Sequence, residues 1–193
     1  MDKMQLIKAA KSRDADAFCA LYEQYKDRLY RYAFYRLNHV QDAEDAVSDC
    51  VISAFRQIGG LKEPAAFDAW IFRILSGCVN ARIREQSARR QIGTLNGSGE
   101  GRQTGTLYGF KDRDAAMKAE PGSPDPSQEI AEQTDLSRAL ETLEDEERNI
   151  VLLSVIGGFT SQEIAGLTGL RPGSVRSKCS RSLAKLRKML EDS

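Results

Sequence analysis

The stretch that decides the fold of the C-terminal part reads GFTSQEIAGLTGLRPGSVR and covers residues 158–176. Thr160 followed three residues later by Glu163 matches a capping box, which predicts that a helix starts there. Gly169 suits a helix end and a sharp turn. Pro172 suits the first turn of the next helix, because its missing N–H would have no intrahelical partner there. The pattern predicts a helix-turn-helix, whose second helix enters the DNA major groove.

The charges of this second helix favour a nucleic-acid partner. Residues 171–188 contain seven basic residues and no acidic one, whereas residues 138–163 contain six acidic and two basic residues. A phosphate backbone requires such a local positive surface, although a solvated helix with a basic outer face has the same composition. Steps of about 100° per residue put Val175, Cys179, Leu183 and Leu186 on the buried side.

The other side of the same helix carries the candidate DNA contacts. Early residues of a recognition helix reach base edges, which makes Ser174, Ser177, Lys178 and Arg181 the base-reading candidates. The candidates for phosphate contacts are Arg171, Arg176 and Lys185.

The composition excludes several functional classes. The 193 residues carry 28 Lys or Arg and 28 Asp or Glu, so the net charge of zero says nothing about nucleic acid. One histidine and four scattered cysteines form no metal-ligand pattern, and neither a phosphate-binding loop nor a nucleophile–histidine pair is recognisable. No apolar run approaches the roughly 20 residues of a membrane-spanning helix. We therefore expect a cytoplasmic, non-enzymatic protein without catalytic residues, metal or other cofactors.

Helical periodicity predicts an all-α protein of two small domains. Three apolar stripes between residues 14 and 92 predict a helical bundle, and the periodicity resumes at residue 136. The residues between them are rich in glycine and proline and carry more acidic than basic side chains, which is typical of a flexible linker. We expect domains over residues 1–92 and 135–193, a flexible linker over residues 93–134, and no fixed relative position of the two domains.

Two further motifs read DAEDAVSD in residues 42–49 and FDAWIFRI in residues 67–74. Together with the helix-turn-helix, they make the chain resemble an extracytoplasmic-function (ECF, group IV) sigma factor of the bacterial sigma-70 family. The resemblance covers sigma region 2 in the first domain and sigma region 4 in the second. It implies a factor that directs promoter-specific transcription initiation in response to an envelope or environmental stress signal. Its implied partners are core RNA polymerase, promoter DNA and an anti-sigma factor.

The resemblance also implies roles for individual residues. The helix that begins near Asp42 matches the segment that grips the clamp helices of RNA polymerase, and its contact candidates are Asp42, Glu44, Asp45, Val47 and Asp49. The helix from Phe67 and the loop before it match the reader of the minus-ten promoter element. The minus-ten candidates are Lys62, Trp70, Arg73, Asn80, Arg82 and Arg84, although apolar spacing alone places Trp70 in the core. The candidates on the helix-turn-helix match the reader of the minus-thirty-five element.

Two other classes of protein fit part of the pattern. A conventional helix-turn-helix repressor or activator, with an N-terminal domain for sensing or dimerisation, would share the C-terminal motif but not the acidic motif in residues 42–49. A scaffold or anti-sigma protein that binds only protein would not need the basic helix. Co-purification with core RNA polymerase separates these classes.

Overall fold

The computed structural model describes residues 2–95 and 135–191, with side chains up to residue 88 in the first range. Within these ranges the chain forms helices and no strand, so the all-α prediction is confirmed. The helices are α1 (Lys3–Lys11), α2 (Ala15–Glu23), α3 (Lys26–Leu37), α4 (Val40–Gln57), α5 (Phe67–Leu95), α6 (135–141), α7 (Asp145–Val155), α8 (Ser161–Thr168) and α9 (Pro172–Glu191). Short 3-10 turns at Ile58–Gly60 and Pro64–Ala66 connect α4 to α5.

Helices α1–α5, which we call the N-terminal bundle, close around a buried aromatic centre. Tyr32, Phe67 and Phe72 are almost completely buried. The rings of Tyr32 and Phe72 meet edge to face with centroids 5.6 Å apart, an arrangement that aromatic pairs prefer. His39 is the N-cap of α4, and its Nδ1 accepts a hydrogen bond from the Asp42 N–H at 3.3 Å. This start sets the helical register of the acidic motif.

Helices α6–α9, the C-terminal bundle, contain the predicted helix-turn-helix as α8 and α9. The capping box is present: the Thr160 N–H donates to Glu163 Oε2 at 2.8 Å, and the Glu163 N–H donates to Thr160 Oγ1 at 3.4 Å. Helix α8 ends at Gly169, whose φ of 78° lies in the left-handed region that glycine adopts without strain. Helix α9 then begins at Pro172. All three local predictions are confirmed.

A glycine pair connects α7 to α8. Gly158 has a φ of 70°. A Cβ on Gly157 would lie 2.4 Å from the carbonyl oxygen of Leu153 and 2.5 Å from the ring of Phe159. The tight turn therefore needs glycine, and it places Phe159 against the N-terminal bundle, 5.2 Å from the centroid of the Phe72 ring.

The structure differs from the sequence-based expectation in the relation between the two bundles. Helix α7 packs on α3, and α8 packs on α5, so the bundles are in contact. The expectation of no fixed relative position rested on composition, which carries no information about the complementarity of two folded surfaces. Helix α5 continues to Leu95, past the expected domain end at residue 92. The predicted flexible linker lies outside the described residues from residue 96 onward, and the domain boundaries stay predictions.

Candidate nucleic-acid and protein interfaces

Helix α4 presents its acidic residues on one face. Glu44 and Asp49 are exposed and Asp45 is half-exposed, because positions 41, 44, 45, 48 and 49 share the side of α4 that is turned away from the core. Asp42 is more enclosed and accepts a hydrogen bond from Gln86 Nε2 on α5 at 2.6 Å. Four of the five predicted polymerase contacts therefore lie together, with Asp42 held by an internal partner.

The fifth candidate, Val47, is corrected by the structure. Its residue exposure is 6 %, because it follows Ala43 and Ala46 on the buried side of the helix. The exposed apolar residue of the acidic face is Ile52, at 51 %. Sequence reasoning missed Ile52, although its spacing of three from Asp49 puts it on the same face.

Arg82 on α5 does not lie with the other minus-ten candidates. Its Nη2 donates to Asp49 Oδ2 at 2.8 Å, and its Nη1 lies 3.7 Å from Asp45 Oδ2 and 3.7 Å from Glu85 Oε2. Burial acts to lower the pKa of Arg82, but the hydrogen bond to Asp49 and the charges of the neighbouring carboxylates raise it. Arg82 of α5 thus lies against the carboxylates on the acidic face of α4. Sequence reasoning missed this position.

The remaining minus-ten candidates of α5 form one stripe. Trp70, Arg73, Asn80 and Arg84 recur at spacings of three, four or seven, which places them on a single helix face. Arg73, Asn80 and Arg84 are exposed. Trp70 is half-buried, with its ring 5.6 Å from that of Phe67, so it packs partly on the core as apolar spacing predicted.

The last minus-ten candidate lies in the connection before α5. Lys62 is exposed between the two 3-10 turns. It belongs to the segment that leads directly into α5, and Trp70 and Arg73 lie in the first two turns of that helix.

The start of α9 is exposed and basic. Arg171, Ser174, Arg176, Ser177 and Arg181 all face solvent. Ser177 Oγ donates to the carbonyl of Gly173 at 3.0 Å, and Arg181 Nε donates to the carbonyl of Ser177 at 3.3 Å. These local bonds hold the two side chains close to the helix surface.

Two of the lysine candidates on α9 already have partners within the C-terminal bundle. Lys178 Nζ pairs with Glu146 Oε1 of α7, and Lys185 Nζ donates to the carbonyl of Thr142 at 2.7 Å. Lys178 is therefore less available for base edges, and Lys185 less available for phosphates, than the arginines are.

The buried side of α9 differs from the prediction by one position. Val175 and Leu186 are buried as predicted, and Cys179 is half-buried, but Ser182 is buried and Leu183 is 40 % exposed. Spacings of three and four are both helical, so periodicity alone does not distinguish position 182 from position 183. Leu183 instead lines an apolar cleft of about 440 Å³ between α3, α6, α7 and α9, together with Leu136, Val155 and Leu190.

The described residues contain neither a metal-binding cluster nor a membrane-spanning helix. Among residues 2–95 and 135–191, no group of three or more His, Cys, Asp or Glu side chains is arranged to hold a metal ion. In the same part of the chain, no helix is long and apolar enough to span a bilayer.

Comparison with known families gives the class of protein. Sigma-70 region 2 matches residues 21–89, and Sigma-70, region 4 matches residues 133–186. The first match contains the acidic face of α4 and the stripe of α5, and the second contains the basic start of α9. The two matches together cover more than half of the chain, which therefore belongs to the sigma-70 family.

Curated relatives identify the branch of the family. The chain is 27% identical to the ECF RNA polymerase sigma factor BldN of Streptomyces coelicolor, over 98% of this chain and 66% of the relative. It is 26% identical to the ECF RNA polymerase sigma factor SigW of Bacillus subtilis, over 96% of this chain and 95% of the relative. The protein is an ECF RNA polymerase sigma factor, and these relatives favour that interpretation over a conventional helix-turn-helix regulator.

Solved structures share the fold. CnrH, solved in complex with the cytosolic domain of CnrY, matches with a TM-score of 0.68 at 21% identity, over 100% of this chain and 99% of that chain. The sigma factor RpoE, solved in complex with the anti-sigma factor NepR from Bartonella quintana, matches with a TM-score of 0.67 at 22% identity, over 90% of this chain and 96% of that chain.

Proposed function

We propose that this sigma factor directs core RNA polymerase to promoters through three surfaces. The exposed face of α4 binds core polymerase, the stripe on α5 with Lys62 contacts the minus-ten element, and the start of α9 contacts the minus-thirty-five element. The observation that carries the proposal is the segregation of charge. Carboxylates are grouped on one face of the N-terminal bundle, and exposed arginines are grouped at the start of α9 in the other bundle.

The face of α4 has the composition of a protein-binding surface. Glu44, Asp45 and Asp49 lie on the outward side of α4 together with the apolar side chain of Ile52, which follows Asp49 by one turn. A central apolar contact with a charged rim is the usual anatomy of a protein interface, and the charges direct the approach of a basic partner. In this proposal Ile52 makes the apolar contact that the sequence assigned to Val47.

The α5 stripe offers groups that suit an unstacked strand. The half-exposed ring of Trp70 can stack on a base, and Arg73 one turn later and Arg84 further along the stripe can bind phosphates. Asn80 adds an amide that can bond a base edge.

The α9 surface offers groups for duplex DNA. Ser174, Ser177 and Arg181 lie three or four residues apart on the exposed side, so they can follow the major groove together. An arginine bonded to guanine O6 and N7 is the commonest specific contact, which makes Arg181 the main candidate for base reading. Arg171 and Arg176 flank this line and are assigned to phosphates.

Reconstitution with purified core polymerase tests the proposal. Asp45→Lys with Asp49→Lys should abolish co-elution with core and transcription from promoters that the wild-type holoenzyme selects in fragmented genomic DNA. Asp16→Lys with Asp27→Lys makes the same charge change at exposed positions on α2 and α3 and should preserve both activities. Helicity measured by circular dichroism should be similar in both double variants. Undiminished core binding by the α4 variant would overturn the assignment of this face, and DNA binding without any polymerase binding would favour a conventional regulator.

We also propose that the chain is held by an anti-sigma factor. The support is that fold neighbours were solved with the cytosolic domain of CnrY and with the anti-sigma factor NepR, and that the apolar cleft beside Leu183 is open in this chain. Leu183→Asp should weaken capture of a candidate anti-sigma factor at least tenfold, whereas Ala184→Asp, at an exposed position outside the lining of the cleft, should not. Equal effects of the two variants would exclude the cleft as the binding site.

A further inference from the structure

Helix α1 is held against the start of α5, although it lies before the region 2 match, which begins at residue 21. Its apolar side buries Ile7 in the core of the N-terminal bundle. At its first residue, Lys3 Nζ donates to Asp68 Oδ1 at 2.8 Å and to Asp68 Oδ2 at 3.0 Å. Asp68 is two residues before Trp70, so this ion pair fixes one end of α1 beside the minus-ten stripe.

The other end of α1 lies on the connection between α4 and α5. A Cβ built on Gly59 would be 3.7 Å from the carbonyl oxygen of Lys11, and α1 contacts both 3-10 turns of the connection. Helix α1 therefore runs alongside this connection, with Lys11 near its beginning and Lys3 near its end. Lys62, the minus-ten candidate between the two 3-10 turns, occupies the middle of the connection.

Five cationic side chains belong to the segments that meet at this point. Three lie in or just after the last turn of α1, one lies in the last turn of α4, and one lies in the connection. They are Lys8, Lys11, Arg13, Arg56 and Lys62, which we call the α1 patch. All five are exposed except Lys11, which is half-exposed.

The charges of the α1 patch have no partner within the described part of the chain. None of the five side chains forms an ion pair or a hydrogen bond with another described residue. Other cations of the same bundle do pair with carboxylates, as Lys3, Lys26 and Arg82 show. Asp14, one of the carboxylates that adjoin the patch in sequence, is engaged as the cap of α2, where it accepts from the Ala17 N–H at 3.0 Å. The positive charge of the patch is therefore available to an external anion.

Helix stability accounts for only part of the α1 patch. Cations in the last turn of a helix compensate its dipole, and this explains Lys8, Lys11 and Arg56. Arg13 and Lys62 lie outside the helices, so the dipole does not explain them. Arg13 also has a φ of 69°, a left-handed conformation in which glycine or asparagine is the favoured residue. Its backbone therefore gives no reason for an arginine at this position.

We propose that the α1 patch binds the phosphate backbone of promoter DNA beside the minus-ten element. The inference rests on the proposed function and adds Lys8, Lys11, Arg13 and Arg56 to the residues that contact DNA. The patch adjoins the α5 stripe through Lys62 and the connection, so DNA bound at the stripe can continue onto it. Phosphate contacts position a protein on DNA and carry no sequence information. The patch therefore strengthens binding to every promoter by a similar factor.

Phosphate contacts have a measurable salt signature. Each contact contributes about 0.7–0.9 to the slope of log affinity against log salt concentration. Lys8→Gln with Arg13→Gln removes two contacts, so the slope measured for the holoenzyme should fall by about 1.4–1.8. This contribution vanishes near about 1 M salt, so at about 0.1 M the same change corresponds to a loss of roughly 25–60-fold. We expect the double variant to bind at least tenfold more weakly at that salt concentration, with the same factor for a fragment whose minus-ten element is scrambled.

Titration of reconstituted holoenzyme with fluorescent promoter fragments measures this slope. The fragments are those that the wild-type holoenzyme selects from genomic DNA. Lys26→Gln with Arg138→Gln is the matched control, because it removes one lysine and one arginine from exposed positions on α3 and α6, and it should keep the wild-type slope. Arg56→Gln tests the patch from α4 and should lower the slope by about 0.7–0.9. All variants should co-elute with core polymerase as the wild type does.

Several results would overturn the assignment of the α1 patch. The wild-type slope in both patch variants would refute it, and so would an equal fall in the control, which would indicate a general charge effect. A lower melting temperature with an unchanged slope would leave the cations a role at the helix ends alone. Loss of binding to phosphatidylglycerol vesicles with unchanged promoter binding would assign the patch to a membrane surface. In each of these cases the wild-type holoenzyme still binds its promoters, whereas a wild-type holoenzyme that binds none would refute the proposed function itself.

Discussion

A methyl group added at Gly157 tests the tight turn between α7 and α8. In Gly157→Ala, the new Cβ would lie 2.4 Å from the carbonyl oxygen of Leu153, and 2.5 Å and 2.7 Å from two ring atoms of Phe159. The first neighbour is backbone of the last turns of α7, and the second is a ring that is buried against Phe72. Gly157 is not in the left-handed region, so the predicted cost is steric rather than conformational.

The size of the effect follows from overpacking. Forcing an extra carbon into a packed site typically costs about 1–3 kcal/mol. For a chain of this length, about 1 kcal/mol corresponds to a shift of about 2–4 °C in melting temperature, so we expect Gly157→Ala to melt about 2–12 °C lower. Gly166→Ala is the control in the same bundle. It adds a Cβ inside α8 where no atom lies within 4 Å, and alanine in a helix interior is favoured over glycine by about 0.5–1 kcal/mol.

Thermal unfolding followed by circular dichroism measures both variants. Gly157→Ala should have a lower melting temperature than the wild type, whereas the melting temperature of Gly166→Ala should equal or exceed that of the wild type. A melting temperature for Gly157→Ala equal to that of the wild type would mean that the turn relaxes to admit the methyl group. The steric argument for glycine at this position would then be wrong.

Three further predictions concern other parts of the chain. Burial acts to raise the pKa of Asp68, but hydrogen bonds from Lys3 and Tyr25 lower it below 3.8. The ionised carboxylate of Asp68 therefore stabilises the folded state above pH 3.8, and this stabilisation is lost as the pH falls through the folded-state pKa. The melting temperature of Asp68→Asn should lie below that of the wild type at pH 7. The difference should shrink below about pH 4. Thr160→Ala removes the cap of α8 and should cost about 1 kcal/mol in unfolding experiments. Arg176→Ala should weaken binding to all DNA sequences and reduce the salt slope by about one unit, whereas Arg181→Ala should relax preference at one base pair and cost about 1–3 kcal/mol.

Each of these predictions has a contrary result. A pH-independent difference between the wild type and Asp68→Asn would exclude a stabilising role for the ionised carboxylate. An unchanged melting temperature for Thr160→Ala would mean that the cap is dispensable. The same uniform loss of DNA affinity in both arginine variants would remove the base-reading role of Arg181.

Local sequence signals predicted the helix-turn-helix because its determinants lie within a few residues of one another. Thr160 and Glu163 form the cap that their spacing predicts, and Gly169 takes the left-handed conformation that ends α8. The acidic motif likewise lies on one face of α4, since a helix of known register fixes which positions point outward.

Sequence analysis was less successful where the answer depends on distant packing. Helical periodicity predicted that Leu183 is buried, but the neighbouring helices cover Ser182 instead. Arg36 gave no sign of burial, because its partner Asp145 is 109 residues away and lies in the other bundle. The same reason explains why Arg82 was assigned to DNA: its ion pairs with Asp45 and Asp49 become visible only when α5 lies against α4.

The position of Arg82 has a kinetic consequence for assembly with polymerase. A cation fixed between two carboxylates cancels part of the field that this face projects into solvent, and a distant basic partner responds to the net field. Encounter with core should therefore be accelerated less than three free carboxylates would predict, and its rate should fall less steeply with ionic strength. Replacing Arg82 with glutamine should release the full negative potential, so that association becomes faster at low salt and slows more steeply as salt is added.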